Sequence, residues 1–409
     1  MHVIIIGAGL GGLSLAQCLR KQGISFEIFE RDVTPKARFQ GWAIALYGST
    51  VEDLASSFPS DVPDLRESTN HLQPLSIPAQ LCMYAPDKDG RIGVEDSSEI
   101  PLIRAERLRL RNWLATNLSI QWGKRLTRIE QGDDGVSVYF EDGTSAKGDI
   151  VVGADGVKSV VREYLLEKPN SDLLSLVPLA AIVGQLELSG DAFKRQLELG
   201  HSGYLVRSQE LGFFNFCGLH ETNPDGVSGK HYWMWMTPDP NVAEPDHWLQ
   251  NASQQEKLDH VLKSVAPLPP QFREIFEQTP ASGITEKPYI WRDLQLEQSS
   301  LPAGRVVLLG DAAHAMTPFR GEGGFHAFID ALKLSKVLGQ LNASEVGNGV
   351  EGIKTAIAEY NSEMLQRCWV AVQDSRNMQV GKQPGKAGAK PWRGARPLPK
   401  ENIVLQPMA

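Results

Sequence analysis

The chain has 409 residues, 42% hydrophobic and 22% charged, the make-up of a globular enzyme with two lobes or more. A net charge of −8 argues against a dedicated nucleic-acid binder, which would carry a basic face. Cys18, Cys82, Cys217 and Cys368 are far apart, without metal-ligand or redox-pair spacing, and no apolar run approaches ~20 residues, so the expectation is a cytoplasmic protein with no bound metal, no nucleic-acid partner and no membrane span, working as a monomer or homodimer.

The first segment, "HVIII" at residues 2–6, is a short β-branched run that reads as a buried parallel strand. "GAGLGG" follows, with Gly7, Gly9 and Gly12 in G-x-G-x-x-G spacing. A helix-like "LSLAQCLRKQG" stops at Gly23, and a second strand, "SFEIFE", ends at Glu30. This is a complete βαβ unit. Gly7 permits the tight turn, Gly9 lets a pyrophosphate approach the backbone, and Gly12 lets helix and strand pack closely. The helix N-terminus offers free N–H groups and a positive dipole end to the phosphates. Glu30 is placed to accept from a ribose hydroxyl pair, and its charge argues against a 2′-phosphate at this site. Arg31 reads either as a group lying along the adenine or as a solvated surface charge.

Residues 38–55, "RFQGWAIALYGSTVEDLA", set Arg38, Gly41 and Trp42 ahead of a helix-like run. "RLRLRNWL" places Arg107, Leu110 and Leu114 at helical spacing, with Arg111 one step on; periodicity alone describes an amphipathic helix with a basic solvated face. Residues 137–162 hold a hairpin around Asp142-Gly143, then the strand "DIVVGADG" running into a turn at Asp155 and a helix start near Ser159 and Arg162. Such a turn can aim backbone N–H groups at phosphate.

Residues 173–295 alternate apolar and polar side chains in "LVPLAAIVGQLEL", "GFFNFCGL" and "HYWMWMTP", an antiparallel half-buried pattern. They read as a second domain on a sheet, rich in Tyr204, Phe213, Phe214, Phe216, Tyr232, Trp233 and Trp235. Those rings suit a flat hydrophobic ligand or an ordinary core. The apolar "VVLLG" then runs into "GDAAHAMTPFRGEGGF", a second strand-to-helix turn with Asp311, Gly321, Gly323 and Gly324. A helix over 352–376 and a basic, Gly- and Pro-containing tail complete the chain. There is no internal repeat, no zinc-type cluster and no G-x-S-x-G elbow in the sequence.

Three motifs in order, "GAGLGG" with Glu30, "GADGVKSVVR" and "GDAAHAMTPFRGEG", together with the Arg-x-x-Leu start of "RLRLRNWL", resemble the class A, p-hydroxybenzoate-hydroxylase-like FAD monooxygenases, and look closest to their fungal secondary-metabolism branch. The motifs span residue 3 to about residue 330. The resemblance implies an α/β fold: a Rossmann-like FAD-binding domain of glutathione-reductase type (1–70, 101–172 and 285–345), an inserted mixed or antiparallel-sheet substrate domain (71–100 and 173–284), a C-terminal helix (350–378) and a tail (379–409). It implies FAD as cofactor, NAD(P)H and O2 as co-substrates, a flavin C4a-hydroperoxide as oxygen donor, and hydroxylation or epoxidation of an aromatic or polycyclic secondary-metabolite intermediate. Baeyer–Villiger insertion is the alternative on the same scaffold.

By resemblance, Gly7, Gly9, Gly12 and Glu30, with Arg31 and Gly41 nearby, hold the ADP half. Arg107 or Arg111 contacts the flavin side, Asp155 belongs to the second motif, Asp311 binds the ribityl or pyrophosphate region, and the 318–324 loop with Gly323 and Gly324 faces the isoalloxazine. Where the family carries Asn, this chain has Phe325, followed by His326 as a possible polar replacement. Tyr204, Arg207 and Tyr232 are the candidates for handling a substrate phenol. "WMWMTP" at 233–238 is also similar to the Trp-x-Trp-x-Ile-Pro signature of flavin-dependent halogenases, a rival that the full Gly-Asp motif disfavours.

Overall fold

The computed structural model describes residues 1–85, 90–132, 134–208, 210–344, 349–379 and 394–408. The N-terminal run seeds a five-stranded parallel sheet. In spatial order its strands are Val306–Leu308, Ile150–Gly153, His2–Ile6, Ser25–Glu30 and Ile120–Trp122. Ile5 sits opposite Val152 on one side and Ile28 on the other, all three fully buried. Burial on both faces is why these strands are continuous apolar runs rather than alternating ones. Helix Leu10–Gln22 follows the first strand and ends on Gly23 at φ 68, the left-handed stop that glycine permits. It packs against the long helix Gly323–Ala343.

A seven-stranded mixed sheet forms the other half, in the order Leu179–Ser189, Ser228–Pro238, Phe213–Thr222, Gly203–Ser208, Gln80–Tyr84, Arg91–Glu95 and Arg396–Leu398. The first four strands are antiparallel neighbours; Gly203–Ser208 runs parallel to Gln80–Tyr84. Residues of helices Gln254–Val265 and Pro270–Glu277 share one hydrophobic core with this sheet, among them Leu258, Val261, Phe272 and Phe276. The parallel sheet has its own core. The C-terminal helix Val350–Gln379 joins it through Ile353, Ile357, Met364 and Cys368, a stripe at helical spacing.

One segment differs from the sequence reading. The run after Trp42 is not helical at first: Ile44–Tyr47 is a strand paired antiparallel with Leu102–Ala105, and the helix begins only at Ser49, beyond Gly48 at φ 56. Ala45 and Leu46 are buried, so the short run pairs with a neighbour rather than presenting a helical stripe. The tail is expected to be poorly ordered or strapped to the surface; 380–393 lies outside the described residues, and 394–408 straps the mixed sheet, where the Glu401 carboxylate takes Arg91 at 2.9 Å and His201 at 3.0 Å.

Candidate functional site

Gly7 ends the first strand at φ 110, where a Cβ would lie 2.3 Å from the Ala154 carbonyl oxygen. A Cβ on Gly12 would lie 2.1 Å from the Gly7 oxygen. Both glycines are demanded by the packing itself. Gly9 is different: its backbone is extended (φ −82, ψ −175), and a Cβ there would meet nothing within 4 Å. The space it leaves opens into a cleft of about 330 Å3.

That cleft unites turns that are three hundred residues apart in sequence. Gly7, Gly9 and Glu30 line it from the first βαβ unit, Asp155 from the second motif, and Gly310, Asp311, Gly323 and Gly324 from the third. Six cationic side chains border it (Arg31, Arg38, Arg107, Lys124, Arg125 and Lys158) against three carboxylates (Glu30, Asp155 and Asp311). An elongated groove with glycine walls, excess positive charge and the N-terminus of a 21-residue helix suits a pyrophosphate flanked by two ring systems. The residues present therefore fit a flavin dinucleotide.

The carboxylate of Glu30 is buried and shapes the first turn. Its Oε2 accepts the Ala8 N–H at 2.7 Å, and its Oε1 accepts the Asp32 N–H at 3.0 Å. Arg111 stands behind the same turn: Nε donates to the Ala8 carbonyl at 3.0 Å, Nη1 to the Pro35 carbonyl at 3.1 Å, and Nη2 lies 3.8 Å from Glu30. The structure thus separates the two arginines that the sequence left as alternatives. Arg107 lines the cleft; Arg111 braces the turn from behind. Arg107 makes no hydrogen bond or ion pair among the described residues, and burial pushes its guanidinium below the usual value against the pull of Asp311. Gly41, at φ 100, makes room for it: a Cβ there would come within 3.2 Å of Arg107 Nη1.

Ser159 caps the helix Val160–Leu166, and Asp155 braces that start, accepting from Ser159 Oγ at 2.5 Å and from the Val160 N–H at 2.7 Å. The buried Arg162 of that helix donates to the Ala312 carbonyl at 2.8 Å, so the second motif holds the third in place.

Behind Asp311 lies a buried charge network. Asp330, in the long helix, accepts the Gly310 N–H at 2.8 Å and His314 Nε2 at 2.6 Å on one oxygen; its other oxygen takes Arg367 Nη2 at 2.7 Å. Burial alone would lower the His314 imidazole, but Asp330 and Cys368 outweigh it and hold it well above its usual value. Burial would raise Asp330, yet His314 and Arg367 bring it down to about 2. His326 is drawn into the same network: its Nδ1 accepts from Arg367 Nη1 at 2.8 Å, and burial, His314 and Arg367 depress it to about 3. It is therefore turned toward the C-terminal helix and is no polar stand-in at the flavin side. Phe325 packs edge-on against it at 5.3 Å. Ligand atoms of His314, Asp330 and Cys368 converge within 4.8 Å, and Arg367 donates to Asp330 and to Cys368 Sγ, so a protein cation already partners two of the three. Sequence reasoning passed over Asp330 and Arg367. The available signal was a lone Asp inside the apolar helical run "FHAFIDAL".

The strand register sorts the aromatic residues onto two faces. Opposed residues of antiparallel strands share a face. Trp233 pairs with Cys217, which pairs with Tyr204, and all three are buried in the helix-covered core. Tyr204 donates its hydroxyl to Gln196 Oε1 at 2.7 Å, so it lies in that core and away from the cleft, contrary to its choice as a catalytic candidate. Phe214, Phe216, Tyr232 and the half-buried Arg207 occupy the opposite face. There the rings close a collar. Centroids run from Phe214 to Phe319 at 5.7 Å, Trp291 at 5.6 Å, Tyr289 at 6.3 Å, Trp42 at 5.9 Å, Tyr232 at 4.7 Å and Phe216 at 5.8 Å, and Phe216 neighbours Phe214 at period two. Chain connectivity links the collar to the cleft: Trp42 follows Gly41, which faces the cleft-lining Arg107, and Phe319 lies four residues before Gly323. Tyr232 Oη accepts from Arg104 Nη2 at 2.7 Å, and burial pushes its phenol above the usual value.

Comparison with known proteins agrees with this geometry. The family described as "FAD binding domain" matches residues 216–375, and the "NAD(P)-binding Rossmann-like domain" matches residues 5–52. The FAD-dependent monooxygenase thnD of Trichoderma harzianum is 59% identical over 376 residues, covering 92% of each chain. The FAD-dependent monooxygenase cctM of Talaromyces islandicus is 27% identical, covering 91% of each. Among solved structures, Klebsiella pneumoniae HpxO complexed with FAD and uric acid superposes with a TM-score of 0.70 at 22% identity, covering 94% of this chain and 90% of that one; at this identity the likeness concerns the fold.

Proposed function

The chain belongs to the FAD-dependent monooxygenases, and from that premise we propose that it is a single-component enzyme using NAD(P)H and O2 to hydroxylate an aromatic or polycyclic secondary-metabolite intermediate. The observation that carries the reading is the cationic two-turn cleft, with an aromatic collar on chain segments next to it: Trp42 follows Gly41, which faces the cleft-lining Arg107, and this supports a flat substrate beside the flavin end of a dinucleotide. FAD, when bound, supplies the redox chemistry: two electrons taken from NAD(P)H, and one oxygen atom of O2 passed to the substrate while the other leaves as water.

The protein's own groups bind and orient. Gly9 admits the pyrophosphate, and Arg31 and Arg107 offset its charge, with the N–H groups at Gly323 and Gly324 aimed from the helix end. Glu30 retains lone pairs toward the cleft for ribose hydroxyls, since each oxygen accepts only one backbone N–H. Asp311 serves the ribityl side. Tyr232 keeps its phenolic proton at working pH and, accepting from Arg104, is free to donate that proton to a substrate oxygen; Arg207 flanks the same face. The collar excludes water from the reacting centre.

The test is an assay of the purified chain with FAD and NAD(P)H and no other protein. A single-component hydroxylase oxidises NAD(P)H by itself and transfers 18O from 18O2 to an aromatic product. A halogenase would require a separate reductase and halide, and an oxidase on this fold would leave the product unlabelled.

A further inference from the structure

The turn that carries Asp311 cannot hold its own shape. Its helix, Asp311–His314, is four residues long, too short to be stable by itself. Gly310 before it sits at φ 60, and Gly310 and Asp311 both line the cofactor cleft. Both ends of the turn are tied instead to one carboxylate oxygen of Asp330, which accepts the Gly310 N–H at 2.8 Å and His314 Nε2 at 2.6 Å. Asp330 is fully buried on the long helix Gly323–Ala343, whose first residues, Gly323 and Gly324, line the same cleft. A Cβ on Gly323 would stand 4.0 Å from Asp311 Oδ1, so Asp330 fixes how far the Asp311 side chain stands from the helix start. The second oxygen of Asp330 takes Arg367 Nη2 at 2.7 Å, and Arg367 is held in turn by Glu363 at 3.1 Å and His326 Nδ1 at 2.8 Å. Among the described residues, none of the helix Val350–Gln379 that bears Arg367 lines the cleft. The arginine reaches the cofactor turn through Asp330.

We propose that Asp330 and Arg367 are positioning residues for the cofactor: together they set the Gly310–Asp311 turn against the start of the long helix, and the C-terminal helix thereby governs how the ribityl half of FAD is held. The proposal rests on the monooxygenase reading for the presence of FAD in the cleft. Its physical basis is the hydrogen-bond demand of a buried carboxylate. With Arg367 in place both Asp330 oxygens are satisfied, and the side chain is locked. Without it one oxygen is buried and unpaired, and rotation relieves that cost only by giving up the Gly310 N–H or His314. The turn then loses an anchor, and the Asp311 carboxylate shifts from its place beside the helix start. Glu30, at the adenosine end, is held by the Ala8 and Asp32 N–H groups instead, so that end keeps its site.

The experiment titrates the full-length apoprotein calorimetrically with ADP, which needs only the first turn, and with FAD, which needs both. Arg367→Met is expected to weaken FAD about tenfold or more and ADP by less than about twofold, and Arg367→Lys to recover part of the FAD loss. Arg91→Gln removes a buried arginine paired with Glu401 in the mixed sheet and serves as the purely structural control. It should leave both affinities within about twofold. Hydrogen exchange of the wild type needs no variant, and stands even where Arg367→Met does not fold. FAD should slow amide exchange in peptides around Arg367 about threefold more than in helix Gln254–Val265 of the other core, while ADP should slow the two alike. Equal FAD protection of the two helices would overturn the proposal. So would Arg367→Met losing ADP and FAD alike or losing neither, or Arg91→Gln losing as much FAD affinity as Arg367→Met. A wild-type chain that takes up no FAD would sink the monooxygenase reading itself, so the two failures are separable.

Discussion

Exchanging Gly9 and Gly12 for alanine, one at a time, separates what the first turn owes to folding from what it owes to its ligand. The two positions lie three residues apart, yet a methyl group meets opposite surroundings. At Gly12 it would sit 2.1 Å from the Gly7 oxygen and 3.1 Å from the Ala154 Cβ, inside the parallel-sheet core. Relief requires strand and helix to part, a cost of about 1–3 kcal/mol or more. At Gly9 the backbone already has φ −82, open to any residue, and the methyl would point into empty cleft. Stability of the Gly9→Ala apoprotein should therefore match wild type to within about 0.5 kcal/mol. The same methyl occupies the place where a pyrophosphate must touch the backbone, so FAD affinity should fall about 10- to 100-fold. Thermal unfolding of the apoproteins and FAD titration by flavin fluorescence quenching give the two readouts. Unchanged FAD affinity in Gly9→Ala, or an apoprotein destabilised as much as Gly12→Ala, would refute the reasoning.

The remaining expectations concern charge. His314 is held above its ordinary 6.5 in the folded state, so its contribution to stability is full below pH 6.5 and declines as pH rises through its folded value. Wild-type stability should therefore fall above pH 6.5 by up to about 1.4 kcal/mol per pH unit, and His314→Gln should flatten that limb in urea titrations at stepped pH. The depressed His326 and His231 lose their effect below pH 6.5 and do not interfere. Arg367→Met leaves Asp330 buried with one cation fewer and should cost about 3–5 kcal/mol, measured by denaturant unfolding. Arg107→Met should weaken FAD binding about tenfold or more, by the same fluorescence titration, while leaving apoprotein stability equal or higher, because Arg107 has no partner among the described residues.

Much of the cofactor cleft was legible in the sequence because each of its turns is local. A strand, a glycine and a helix start are written within a dozen residues, and Gly7, Gly9, Glu30, Asp155 and Asp311 could be named from that pattern. What joins them is not local. Whether Arg107 or Arg111 faces the cleft depends on how one helix meets the Ala8 carbonyl, and four residues of spacing cannot decide it. The aromatic face was half legible: alternation marked a sheet, but register against neighbouring strands put Tyr204 and Trp233 in the helix-covered core and Tyr232 and Phe216 on the collar. Arg104 and Asp330 were passed over for a similar reason. Asp330 stands singly in an apolar run and Arg104 heads a charged one, and the meaning of each comes from partners more than a dozen residues away in the chain: Tyr232 for Arg104, His314 and Arg367 for Asp330.

The most direct measurement is the visible spectrum of the purified protein, recorded anaerobically before and after NAD(P)H and again after air is admitted. The two bands of oxidised flavin should be present or appear on adding FAD, bleach with NAD(P)H, and return with O2. A protein that stays colourless in the presence of FAD, or a bound flavin that NAD(P)H fails to reduce, would contradict the account.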